Sequence, residues 1–334
     1  MKHPKYFVSC DWGTSNFRIR LIAFDSLEVI KEHKTDQGVK KLYQEFLSSG
    51  NEDREGFFSE YLLSQLIYIT DVNQPLYIIA CGMVTSTMGL KEMEYAPMPI
   101  NDDVNTLNVE RLQLRNDIEL ILISGVKTTN DVMRGEEVQA IGLTKYLDKN
   151  AHLLLPGTHS KHLVYKEGRY VDFTTYMTGE MFDLISNQTI IKDFLKSAKM
   201  ESLQEDAFID GVKDGSNGKF LGSLFPLRAK WVSKSPLEQK QLIDKQKDQE
   251  MFTANYYYLS GLLIGTELTH LKDTTIPVVM AASGILFNLY QLALKTLEVK
   301  NFRCLDGTVL EHSMIQGQQS ILQKYLENEL LFNG

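Results

Sequence analysis

Residues 8–21 read VSCDWGTSNFRIRL. Two stretches of strand character flank an acid, a glycine and a run of small hydroxyl and amide side chains. Tyr6 to Cys10 is short and apolar. From Asn16 to Phe24, Phe17, Ile19 and Leu21 alternate with Arg18 and Arg20, the period-two pattern of a strand with one buried face. A connector between two strands needs only Gly or Asn. Asp11 followed by Gly13, Thr14 and Ser15 offers more: a backbone that an anion can approach closely, and a carboxylate able to hold Mg²⁺ against nucleotide phosphates. A plain hairpin turn, with Asp and Asn satisfying local backbone donors, fits this stretch equally well when it is taken alone.

The pattern extends outward from there. Leu27 to Lys34 continues a three-stranded antiparallel opening. Leu42, Phe46, Phe57, Tyr61, Leu62 and Leu66 recur at helical spacing within a polar stretch. Pro75 to Gly82 and Ile118 to Ser124 are apolar strands. The second half repeats the grammar: a strand over Ala151 to Leu155, the loop PGTHSKH (156–162), and short strands over Leu163 to Tyr165 and Tyr170 to Thr175. A helix follows Thr178, which is its expected N-cap. Residues 196–250 are polar with few periodic signals. Late in the chain, YYYLSGLLIGTELTHL (256–271) reads as helix, IPVVMAASG (276–284) as a strand entering Gly284, and ILFNLYQLAL (285–294) as helix. Strand, glycine-hydroxyl loop and strand thus occur twice, which predicts an α/β chain with a phosphate loop opening each half.

Composition removes several classes. With 334 residues, 43% hydrophobic and 23% charged, the chain has the profile of a soluble globular enzyme of two ordinary domains. A formal charge of −8 leaves no basic footprint for nucleic acid. Cys10, Cys81 and Cys304 are odd in number and widely spaced, which points to reduced core residues and a cytoplasmic setting. No leader pattern and no run of 18 apolar residues suggests a membrane. Asn187-Gln188-Thr189 matches a glycosylation acceptor by chance.

Three further segments carry chemistry. In PGTHSK, Gly157, Thr158 and Lys161 could meet phosphate, although the spacing is not that of the Gly-x4-Gly-Lys loop and a strand follows; Lys161 could equally be a solvated turn lysine. His159 is either a donor to substrate or a satisfied loop residue, and His159 with His162 lacks the cysteines of a zinc site. The small residues before Gly284 would let a base or ribose lie against the backbone, or simply pack tightly. In NDVMRGEEVQAIG (130–142), Glu136 and Glu137 suit the positive end of a helix, while one carboxylate could accept a proton in phosphoryl transfer and Arg134 could hold an anionic group bidentately.

These segments occur in the order of the phosphate-1, connecting, phosphate-2 and adenosine segments of the actin-like ATPase fold. Within that fold the chain resembles the 2-dehydro-3-deoxygalactonokinases, through DWGTSNFR (11–18), NDVMRGEEVQAIG, LPGTHSKH (155–162), YMTGE (176–180), DAF (206–208) and LSGLLIGTEL (259–268). The resemblance implies two ribonuclease-H-like domains, 1–132 and 133–334, with an interdomain nucleotide cleft. It implies ATP-dependent phosphorylation of the terminal hydroxyl of 2-dehydro-3-deoxy-D-galactonate, with Mg²⁺, in galactonate breakdown. Asp11 would position the metal; Gly13, Thr14, Ser15, Gly157, Thr158 and Lys161 would hold the phosphates, and Gly284 would lie by the adenosine. Glu136 is the expected general base, with Asp131 and Glu180 as rivals. Arg18 or Arg134, with His159 and Glu180, would face the substrate. The competing expectations are a kinase for another sugar acid or an amino sugar, and a non-enzymatic actin-like nucleotide switch. The oligomeric state is left open, a homodimer included.

Overall fold

The computed structural model describes residues 3–70, 75–101, 103–234 and 242–333. They gather into two compact units: 1–150 with 163–174 and 308–334, and 151–162 with 175–307.

The first unit opens with β1 (Tyr6–Trp12), β2 (Phe17–Ala23) and β3 (Val29–Thr35), followed by α1 (Val39–Ser49) and α2 (Arg54–Leu66). Then come β4 (Leu76–Gly82), β5 (Ala96–Pro97), β6 (Val109–Arg115), β7 (Ile118–Ile123), β8 (Val126–Lys127), β9 (Val132–Met133) and α3 (Glu136–Leu143). The main sheet runs β3-β2-β1-β4-β7-β6. β1, β2 and β3 are antiparallel neighbours, β1, β4 and β7 are parallel, and β6 turns back along β7. One face of β1 and β2 buries Val8, Cys10, Trp12, Phe17 and Ile19 in a core that also takes Phe58, Leu62 and Leu66 of α2. These α2 residues recur at i, i+4 and i+8, the stripe that places a helix on a sheet. Asp53 caps α2 by accepting the Gly56 amide at 2.9 Å.

β10 (Asn150–Leu155), β11 (Ser160–Lys166) and β12 (Arg169–Tyr176) lead into α4 (Thr178–Gln188), α5 (Ser202–Ser216), α6 (Phe220–Leu224), α7 (Pro226–Val232) and α8 (Leu242–Leu268). β13 (Val278–Ala281), α9 (Gly284–Thr296), β14 (Phe302–Leu305) and α10 (Gly307–Asn333) complete the chain. The second large sheet runs β12-β11-β10-β13-β14, with β10, β13 and β14 parallel. Numbered from its own first strand, each large sheet reads 3-2-1-4-5, with β6 added at the edge of the first. The expected ribonuclease-H-like order is therefore present twice.

α5 lies against α8 at backbone distance. A Cβ on Gly211 or Gly215 would stand 2.2 Å from the carbonyl oxygen of Tyr258 or Leu262, and one on Gly261 or Gly265 would meet Phe208 or Val212 as closely, at 2.1 and 2.2 Å. Only glycine permits that approach. The polar stretch 196–250 thus contains α5, α6, α7 and the start of α8, where sequence periodicity suggested little; residues 235–241 lie outside the described set. Its helical glycines Gly211 and Gly215 dilute the apolar pattern because they serve contact rather than turns.

Two local expectations change. β11 begins at Ser160, so the last three residues of the supposed loop, 160–162, are strand. Thr178 is the first residue of α4 and not its cap; its hydroxyl goes to Glu267 instead. The contact-defined units also differ from a cut at residue 132, since β9, α3 and α10 all fall in the first unit. No helix among the described residues is long and apolar enough to cross a membrane.

Candidate active site

Asp11 lies on β1, directly opposite Arg18 of β2, and the turn between the strands is only Gly13 to Asn16, closed by the Gly13 amide on the Asn16 carbonyl at 2.9 Å. The tip is held from below by α1. The Val39 amide donates to Gly13 O at 3.0 Å and the Lys40 amide to Thr14 O at 3.1 Å. Gly38 permits the approach, since a Cβ there would stand 2.4 Å from Thr14 O. Thr14 and Ser15 are left exposed.

The second loop is docked in the same way. Thr158 O accepts the amides of Gly179 and Glu180, both at 3.1 Å, at the start of α4. Here Gly179 is the close neighbour, where a Cβ would lie 2.7 Å from Thr158 Cα. In both loops a helix N-terminus, the positive end of its dipole, receives loop carbonyls. A Cβ on Gly157 would meet nothing within 4 Å, so this position is open to a ligand.

Around Asp11 the charges form a ladder. Arg18 donates to Asp11 at 2.9 Å and to Glu311 of α10 at 3.1 Å. Arg20, one row along the sheet, donates to Glu311 and to Glu32, both at 2.5 Å. A polar cavity of about 400 Å³ opens beside the row, lined by Asp11, Gly13, Asn16, Arg18, Lys34 and Thr35. Asp11 suits a hydrated Mg²⁺, which takes few protein ligands and keeps waters, while Arg18 and Lys34 give the same cavity positive charge for an anion; among the described residues no three His, Cys, Asp or Glu converge as a metal cage.

The other expected acids differ in setting. Asp131 sits in the β8–β9 turn, where it accepts the Val132 amide at 2.7 Å. Glu136 is half-buried at the first position of α3. Glu137, treated in the sequence as its equivalent, is fully buried; its Oε2 accepts the Gly135 amide at 2.7 Å and its Oε1 has no partner. Burial, and then the nearby Glu136 charge, push its carboxyl up to about 8. The helical repeat Glu137, Ala140, Ile141 carried that signal, because i+3 and i+4 share a face. Arg134 is occupied by protein: Nη1 donates to Thr85 O at 2.6 Å and Thr85 Oγ1 at 2.5 Å, Nη2 donates to Met93 O at 3.2 Å, and the guanidinium lies 4.3 Å over Tyr95.

On the second loop His159 pairs with Glu180 at 2.5 Å on the surface. Lys161 is buried and donates to His159 O at 3.0 Å. Below the loop lies a polar cluster that the sequence did not single out. Glu267 of α8 accepts His162 Nε2 at 2.7 Å, Tyr290 OH at 2.7 Å, and the Thr178 hydroxyl. Tyr290 in turn meets Ser160 Oγ at 3.0 Å, and His162 Nδ1 lies 3.3 Å from His270 Nε2. Burial, helped by His162, lowers His270 to about 4, so it is neutral at physiological pH. A largely apolar cavity of about 200 Å³ adjoins the cluster, lined by Gly157, Tyr256, Ser260, Leu286, Leu289 and Tyr290. Gly284, at φ 58, starts α9 immediately before this wall.

The comparisons with known proteins follow this arrangement. A Rhizobium meliloti protein provisionally named 2-dehydro-3-deoxygalactonokinase is 29% identical over 90% of this chain and 92% of its own length. The Escherichia coli 2-dehydro-3-deoxygalactonokinase is 27% identical over 80% of each. A crystal structure from Sinorhizobium meliloti, provisionally described as a 2-dehydro-3-deoxygalactonokinase protein, superposes with a TM-score of 0.78 at 26% identity, covering 96% of this chain and 99% of that one. The family model for 2-keto-3-deoxy-galactonokinase matches residues 11–316. The loops and the buried acids described above lie within that span, and the chain belongs to the 2-keto-3-deoxy-galactonokinase family.

Proposed function

We propose that the protein transfers the γ-phosphoryl group of ATP to the terminal hydroxyl of 2-dehydro-3-deoxy-D-galactonate, giving the 6-phosphate and ADP in galactonate breakdown, in the cytoplasm. The observation that carries the reading is the family match over residues 11–316. Two glycine-hydroxyl loops, each at the end of the first strand of a 3-2-1-4-5 sheet, support it.

In this reading Asp11 holds Mg²⁺, which when bound neutralises the charge on the transferring phosphate. Gly13, Thr14 and Ser15 offer an exposed turn to the phosphates, and Gly157 and Thr158 do so from the second loop. Lys161, held against its own loop, adds positive charge there. The adenosine takes the apolar cavity next to Gly157 and Gly284. As the substrate oxygen bonds to phosphorus and the bond to ADP breaks, Glu136 accepts the hydroxyl proton, with Asp131 and Glu180 as the alternative acceptors. Of the two arginines, Arg18 suits the substrate carboxylate better: it borders the polar cavity and its partners are the partly exposed Asp11 and Glu311, whereas Arg134 is tied to Thr85 and the Met93 carbonyl and stacked over Tyr95. His159, tied to Glu180, takes a supporting place beside the substrate.

The test is ADP release with Mg-ATP and a panel of sugar acids. Fast release with 2-dehydro-3-deoxy-D-galactonate, and little with its gluconate epimer or neutral sugars, is expected. Turnover of another acid alone would replace the substrate. ATP binding with no acceptor turned over would favour a nucleotide switch.

A further inference from the structure

Glu267 stands in an apolar stretch of α8, 2% exposed, and its carboxylate gathers hydrogen bonds from three separate segments. His162 comes from β11, Thr178 from α4 and Tyr290 from α9. A carboxylate only accepts, so each of the three must donate. Tyr290 has one proton, and Glu267 takes it. The 3.0 Å contact between Tyr290 and Ser160 therefore has Ser160 as its donor. The Ser160 oxygen is then left to accept, and the Gly157 amide points at it from 3.4 Å; the Gly157 carbonyl, at 3.5 Å, is the longer rival for the Ser160 proton that the Tyr290 oxygen takes at 3.0 Å. One buried negative charge thus sets the direction of every bond from α8 to the backbone of the second loop. A hydroxyl rotor without such a charge has no fixed sense.

We propose that Glu267 is a positioning residue: through Tyr290 and Ser160 it holds residues 157–160 in the single conformation that receives the nucleotide phosphates, a role that rests on the function proposed above. The cost of burying this carboxylate is offset only when all of its donors are present. The cluster is accordingly an all-or-none device, in which loosening one bond frees the rotors of the next. Tyr290 also forms a wall of the adjoining cavity, so its ring stays necessary even when its hydroxyl is removed.

The experiment compares wild type with Tyr290→Phe, which cuts only the link from Glu267 to Ser160, and with Glu267→Gln. Leu294→Ala serves as control, since Leu294 is a core residue of the same unit with no place in the cluster. Hydrogen exchange at residues 157–160 is measured without nucleotide, and KM for Mg-ATP, KM for the sugar acid and kcat are measured with it. Both cluster variants should exchange faster at 157–160 and raise KM for Mg-ATP by about tenfold, the loss of one charge-linked hydrogen bond. KM for the sugar acid should stay within twofold, and Leu294→Ala should lower thermal stability without moving KM for Mg-ATP. Unchanged exchange in folded Tyr290→Phe overturns the inference. So does faster exchange with unchanged KM, or an equal KM rise in Leu294→Ala. A wild-type protein that binds no Mg-ATP in calorimetry overturns the functional reading first, and the role of the loop with it.

Discussion

The two loops are docked alike and anchored differently. Each gives carbonyls to the start of a helix, over a glycine that no other residue could replace without displacing the backbone. The first is flanked by a ladder in which the partly exposed Asp11, Arg18, Glu311 and Glu32 surround the buried Arg20; the second rests on one buried carboxylate with three donors. Exposed ion pairs are worth little and weaken with salt, whereas a buried acid is costly to leave unmatched. The first loop is thus held in a way that can yield to ions and ligands, and the second in a way that cannot.

The largest effect should come from Glu267→Ala, which leaves the Thr178, Tyr290 and His162 donors unmatched. A loss of about 3–5 kcal/mol should lower the melting temperature by about 10 °C, with the same drop at low and high salt. A drop that salt abolishes would put the second loop in the same class as the first. Asp11→Asn should do the opposite: turnover reduced roughly 100-fold, the scale of losing one preorganised electrostatic group, with melting nearly unchanged. Wild-type turnover in that variant would remove Asp11 from the metal site.

Glu137 sharpens the contrast, being buried like Glu267 but met only by backbone amides, with one oxygen orphaned. Its folded value of about 8 lies above the ordinary 4.5. The stability linked to its proton is therefore complete below about pH 4.5 and is lost as pH rises through 8. Glu137→Gln should leave melting at pH 5 within about 1 °C and raise it by about 5 °C at pH 9; equal shifts at both values would show that the carboxyl does not titrate there. The smallest effect belongs to Glu311→Gln, about 1 kcal/mol, because Glu311 is itself exposed, the amide oxygen can still accept from the buried Arg20, and Arg20 keeps Glu32. A larger, salt-resistant loss would make the ladder a second buried anchor.

How much of this was legible varied with the kind of contact. The hairpin of β1 and β2 was written in the alternation of Phe17, Ile19 and Leu21 with two arginines, and the glycine-hydroxyl loops marked both strand ends. α5 was not legible, because its Gly211 and Gly215 carry the same letters that elsewhere mark turns. Nor was the Glu267 cluster: His162, Thr178, Glu267 and Tyr290 are scattered over about 130 positions, and no local period records a tertiary hydrogen bond. Thr178 shows the ambiguity well, since a hydroxyl at a helix start reads as a cap until a buried acid claims it. The burial of Glu137 could have been found from its spacing, but the neighbouring Glu136 offered the same side chain one position earlier.

α10 adds a consequence in time. Gln318 of that helix donates to the carbonyls of Cys10 at 3.0 Å and Ile79 at 3.3 Å, on the first and fourth strands of the opening sheet. The unit that leaves the ribosome first therefore waits for residues 308–334 to complete it. At ~5–20 residues per second the interval between residues 150 and 334 is roughly 10–40 s. For that period the nascent sheet is short of one of its own helices, a window in which a chaperone has something to hold.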